Sequence, residues 1–286
     1  MGVKVLLVPV FGDKSDRPAL DAALPLARRF AAHVSVLHVE RDPASDLLMV
    51  GDPLSASAAE SIIEAAEADI KTRAKQARAT FEAWMKASKL THTGQPGTSK
   101  AATATWTQMQ GAVETIARRG RLADIVILAR GSSEDDERRS LAIETALTRS
   151  GRPVLLAASK APKAIGKTVA IAWNGSAEAA RAVAQSLPLL AEASKIVVLT
   201  APEKGNMGED AEDLARSLAW HGLTAEVRKF SAAGDIGANV LAAAGKAGAD
   251  LLVMGAYSHS RLRELVLGGV TRRVLKAAKL PVLMVH

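Results

Sequence analysis

A chain of 286 residues, 48% hydrophobic and 23% charged, is long enough to bury two substantial cores. It has no cysteine, which excludes disulfides, cysteine-ligated metals and thiol catalysis. The formal net charge is +7, but the basic residues are spread along helical faces and aromatics make up only 3%, so nucleic acid is not an expected partner.

No run of eighteen apolar residues occurs, so no membrane span is expected. Met1-Gly2-Val3-Lys4 leads straight into a strand instead of a signal peptide, and a cytoplasmic protein is the expectation. Lys4-Val5-Leu6-Leu7-Val8-Pro9-Val10 reads as a buried strand ending at Phe11-Gly12-Asp13. An alanine-rich helical pattern follows, then a second strand from Val34 to Val39. Asp42 to Pro53 reads as a loop. From about Ser57 to Ser88, Ile63, Ala66, Ile70, Ala74, Ala77, Phe81 and Trp84 recur three or four apart, which predicts one long helix with a single apolar stripe. Such a stripe suits a helix packed on its own sheet, and a partner-binding or oligomerising helix is the alternative. Gly94 to Thr105 has turn chemistry and reads as a loop. Asp124-Ile125-Val126-Ile127-Leu128 and Arg152-Pro153-Val154-Leu155-Leu156 read as two further strands.

The pattern then begins again. Lys167-Thr168-Val169-Ala170-Ile171-Ala172-Trp173-Asn174-Gly175-Ser176 answers to the first strand and its turn, Lys195 to Thr200 to the second, and Asp250 to Met254 and Leu280 to Met284 to the last two. The counterpart of the long helix, about Gly208 to His221, is much shorter. A period of half the chain fits two α/β domains, 1–160 and 161–286. Strands alternating with helices imply βαβ units and an open, mostly parallel sheet, and runs such as Ile-Val-Ile-Leu suit strands buried on both faces.

The segment after Asp250 to Met254 carries the chemistry. Gly255 ends the strand, a loop follows, and Gly268 and Gly269 open a helical segment from Val270 to Lys279. Two glycines at a helix start leave the first amide N–H groups uncovered at the positive end of the helix dipole, a natural seat for phosphate. Gly255, Ser258, Gly268, Gly269 and Thr271 stand in a spacing that resembles the nucleotide-binding motif of the universal stress protein family. Two departures stand out. Ser258 replaces a glycine of that motif, and Gly269 stands where serine or threonine is usual.

The resemblance covers nearly the whole chain. It implies a tandem of adenine nucleotide alpha hydrolase-like, Rossmann-like domains acting in stress response. It also implies ATP or AMP as the ligand, with magnesium as an optional companion. Ala172, Trp173, Asn174 and Met254 would then border the base and ribose. Gly175 follows in the same turn. Gly255, Ser258, Gly268, Gly269, Val270 and Thr271 would surround the phosphates, with Arg261 and Arg263 as countercharges and His259 as a hydrogen-bonding loop residue. The family further implies pairing of the two halves through Arg152 to Ala157 and Leu280 to Val285, an internal pseudo-dimer. A homodimer of chains is left open.

The first half departs from the motif. Counting back from the shared proline, Ser140 and Leu141 take the places of Gly268 and Gly269, while Ile143 and Glu144 take those of Thr271 and Arg272. A leucine obstructing the amides, a carboxylate at the helix start, the acidic run Glu134 to Glu137 and Phe11 in the place of Asn174 make a degenerate site the expectation. No Gly-x-Ser-x-Gly elbow, Walker-type loop or metal-ligand spacing occurs, so catalysis beyond slow ATP hydrolysis is not expected. A nucleotide-free scaffold acting through domain pairing is the alternative to a nucleotide sensor.

Overall fold

A computed structural model describes residues 2–44, 55–96, 100–131, 137–160, 164–201, 210–256 and 269–286. The first half runs β1 (Val5–Val10), α1 (Asp16–Phe30), β2 (His33–Glu40), α2 (Ala56–Ser88), β3 (Thr91–His92), β4 (Thr103–Gln110), α3 (Glu114–Gly120), β5 (Ile125–Ala129), α4 (Glu137–Arg149) and β6 (Val154–Ala157). The second runs β7 (Thr168–Ala172), α5 (Ala177–Leu190), β8 (Lys195–Thr200), α6 (Ala211–Trp220), β9 (Ala225–Lys229), α7 (Ile236–Lys246), β10 (Leu251–Gly255), α8 (Gly269–Ala277) and β11 (Val282–Val285).

These strands form one sheet in the order β3-β4-β2-β1-β5-β6-β11-β10-β7-β8-β9. Every neighbour pair is parallel except one: β6 meets β11 antiparallel, with Leu155 opposite Leu283. The expected open sheets are thereby one continuous α/β sheet, since β6 and β11 satisfy each other's edge groups. Outward from the join the order is the same on both sides, β6-β5-β1-β2-β4 and β11-β10-β7-β8-β9. Finer details repeat too. Gly12 and Gly175 both turn with positive φ, 80° and 69°, and Pro25 and Pro188 each lie inside the following helix. Asp124 accepts the Lys4 and Val5 amides at 2.6 and 2.9 Å, and Asp250 accepts those of Gly166, Lys167 and Thr168 at 2.8, 3.1 and 3.2 Å.

The central strands are buried on both faces, as the burial of all five β5 residues shows, and helices cover each side. One core joins α1, α2, α5 and α6 to Leu6, Val8, Val169, Ile171 and Val253. The other joins α3, α4, α7 and α8 to Leu7, Val126, Ala170, Leu252 and Met254. Helix α2 starts at a Ser55 cap that accepts the Ala58 amide and buries Ala66, Ala77, Phe81 and Trp84, the last three in the core shared with α1 and β2, as the apolar stripe predicts. The loop expected over Gly94 to Thr105 is corrected at its end: β4 begins at Thr103 and pairs with β2. Both β4 and β9 lie toward the sheet margins, half-exposed, so their sequences carry polar residues and lack the apolar run that marks an inner strand.

Candidate functional site

Strands β7 and β10 are neighbours, with Met254 opposite Ala172, and their carboxyl ends open on the same edge of the sheet. The chain leaves β7 toward β8 on one side, while β10 lies on the other. This is the point where strand order reverses, and in open α/β sheets ligands sit in the crevice there.

Ala172 is the last residue of β7, and three predicted residues, Trp173, Asn174 and Gly175, form the turn that follows it. The Trp173 amide donates to Leu199 O at 2.9 Å, and the side chain is nearly buried. Asn174 Oδ1 accepts the Ser176 amide at 3.2 Å and its hydroxyl at 2.7 Å, so that oxygen is committed to the turn. Ser176 in turn caps α5 by accepting the Ala179 amide at 3.2 Å. Gly255 has a packing role: a Cβ there would stand 2.6 Å from the Ala179 nitrogen and 2.7 Å from the Glu178 carbonyl carbon. Glycine at this position lets the first turn of α5 press against the end of β10. Ser258, His259, Arg261, Arg263 and Gly268 lie outside the described residues.

Past them, α8 begins at Gly269. Its first turn holds no acidic residue, Thr271 is buried, Val270 is packed on the core, and a Cβ at Gly269 would meet no atom of the described residues within 4 Å. The amides of Gly269, Val270 and Thr271 are the donors such a helix start leaves without intrahelical partners. Arg273 is tied to Asp235, the N-cap residue of α7, at 2.9 Å, which joins the two helices near this end. Among the described residues no group of histidines and carboxylates could hold a metal ion.

In the first half the same place is filled. Arg139 of α4 is fully buried, reaching Asp13 at 2.6 Å and Asp16 at 3.1 Å and lying 4.4 Å from the Phe11 ring centroid. Asp16 also accepts the amides of Phe11, Gly12 and Asp13 at 2.9, 2.7 and 3.2 Å. Burial works against the charge on Asp13, but the hydrogen bond and charge of Arg139 hold its carboxyl below the usual range. Helix α2 closes the top, since a Cβ on Gly12 would lie 2.2 Å from the Arg73 carbonyl oxygen.

The obstruction therefore differs from the one expected. Helix α4 already runs from Glu137, which puts Leu141 a turn inside it, half-exposed and clear of the crevice. Glu144 likewise lies within the helix, and of the acidic run only Glu137 is described. Arg139 was missed by sequence reasoning, although Asp13 and Asp16 beside an otherwise apolar strand end were a signal that a buried cation was needed.

Residues 166–286 match the model of the universal stress protein family. The second half of the chain is thus similar to that family's domain. The fold of the family extends over the rest: a universal stress protein from Archaeoglobus fulgidus superposes with a TM-score of 0.65 over 98% of this chain and 97% of that one, at 15% identity. A functionally unknown protein from Pseudomonas aeruginosa does so with a TM-score of 0.58 over 99% and 92%, at 14% identity. A universal stress protein in complex with cAMP covers 56% of this chain and 100% of its own at a TM-score of 0.32, too loose a likeness to carry a ligand over. No curated protein matches the chain. No helix among the described residues is long and apolar enough to cross a membrane.

Proposed function

We propose that the chain binds an adenine nucleotide, ATP or AMP, in the crevice at the ends of β7 and β10, and that it acts as a stress-response regulator through that ligand. The observation that carries this reading is the start of α8. Gly269 opens the helix with space at its Cβ position that no described residue fills and no carboxylate in the first turn, beside the strand-order switch point. Bare amide donors at the positive end of a helix suit phosphate groups. The main chain of Trp173, whose side chain packs into the α5–α6 layer, would border the base and ribose with Asn174 and Met254; Ser258, His259, Arg261 and Gly268 would contribute from the connecting segment, and magnesium would accompany the phosphates.

The domain boundaries are read as 1–160 and 161–286, with a single site per chain. The first domain is its filled counterpart, and β6 and β11 hold the two as an internal pseudo-dimer. A bound nucleotide would favour one arrangement of the crevice and shift a conformational population; turnover is not required.

Mass spectrometry of small molecules released by heat, with calorimetric titration of ATP and AMP, tests the reading. One nucleotide per chain is expected. Gly269→Val should remove it while leaving the fold intact, because the first added carbon meets no atom of the described residues within 4 Å. An empty protein that binds neither nucleotide overturns the proposal in favour of a nucleotide-free scaffold.

A further inference from the structure

The face of the sheet covered by α1, α2, α5 and α6 is filled differently in the two halves. In the first, Phe81 and Trp84 of α2 are buried, and Phe81 lies 5.4 Å from Trp106 of β4, centroid to centroid. Trp106 stands opposite Val36 of β2, and the corresponding place on β9, opposite Val198 of β8, is held by Val227. Helix α6 offers Leu214 and Leu218 to this layer and leaves its aromatic residue, Trp220, 92% exposed. Aliphatic side chains stand here where the first half has large rings, and a hollow is left. A cavity of about 390 Å³ lies between α5 and α6, with Trp173, Val183, Leu214 and Leu218 among its walls and Ser217 and His221 on α6 and just past it.

Mostly apolar walls, an aromatic surface and a few polar groups are the features of a small-molecule site, and this volume falls within the usual range. Asp213 also lines it but is paired with Arg216, and the other, largely apolar walls give a charged guest little in exchange for its lost hydration. A flat ring gains dispersion and edge or face contact with the Trp173 indole, and one hydroxyl or ring N–H on it can meet Ser217 or His221. We propose that the α5–α6 cavity binds a small uncharged aromatic molecule with a single polar group, of the phenol or indole class. This goes beyond nucleotide binding and does not rest on it.

The absence of native cysteine makes the test direct, because Ser217→Cys supplies the only thiol in the full chain. With p-cresol as the probe, maleimide labelling of that thiol is expected to slow at least about threefold as p-cresol rises into the millimolar range, and the protection should persist in saturating ATP. Ala184→Trp, placed in the same background at an exposed position of α5 that lines the cavity, should keep the fold by circular dichroism and abolish the protection. Unchanged labelling with p-cresol, or equal protection in the Ala184→Trp protein, overturns the proposal.

Discussion

Replacing Arg139 with methionine tests what closes the first-half crevice. The guanidinium has no exposure and reaches Asp16, also unexposed, at 3.1 Å and Asp13 at 2.6 Å. Methionine keeps much of the volume over the Phe11 ring and removes the cation, so Asp16 is left as a buried carboxylate with only backbone donors. Breaking a buried pair from one side costs about 3–5 kcal/mol, most of it the penalty of the charge left behind. With a urea m-value of about 2–3 kcal/mol/M, the midpoint of the transition reporting on the first half should fall by about 1–2 M. The loss should shrink with acid. Burial already pushes the Asp16 carboxyl above its ordinary value against the pull of Arg139, and without that cation it rises further. Protonation of Asp16 then relieves the variant, while in the wild type Asp13, held below its ordinary value, keeps its charge and its pairing with Arg139 over the same range. The difference between the two proteins should therefore narrow between neutral pH and about pH 4. Urea titrations followed by circular dichroism at several pH values provide the measurement. A loss under about 1 kcal/mol, or a difference that does not change with pH, would refute the account of a charge-locked crevice.

Three further outcomes are expected. Burial holds His33 and His38 below the ordinary value of 6.5, with Arg138 adding to the effect on His38 and its hydrogen bond to Val10 O opposing it. Both are thus favoured neutral in the fold: their stability contribution is complete above that value and is lost as pH falls through their folded values, and His38→Gln should flatten this slope in thermal melts. Asp250→Ala strands the amides of Gly166, Lys167 and Thr168 and should cost about 2–3 kcal/mol in chemical denaturation; a loss below about 0.5 kcal/mol contradicts the strand-anchoring role. Gly255→Ala drives a methyl to within 2.6 Å of the α5 backbone and should lower stability by about 1–3 kcal/mol, whereas Gly269→Ala should be neutral or stabilising by up to about 1 kcal/mol. Equal effects of the two substitutions in calorimetric melts would show that the glycines do not differ in role.

The sequence by itself determined the inner strands, because a strand buried on both faces must be apolar throughout, and runs such as Ile-Val-Ile-Leu have no other comfortable place. It determined the long α2 through its apolar stripe, and the duplicated plan through the repeated strand, turn and proline positions. It did not yield β4 and β9, whose marginal places in the sheet allow polar side chains and erase the pattern. Only the tertiary structure decided the roles of particular groups. Gly255 is required by the approach of α5, which no local signal near residue 255 encodes. Arg139, distant in sequence from Asp13 and Asp16, becomes their partner only when α4 folds back beside β1, and Gly12 meets Arg73 only because α2 crosses above it. Local backbone preference and burial repeat along a chain and can be read there, but contacts between remote segments depend on how layers stack.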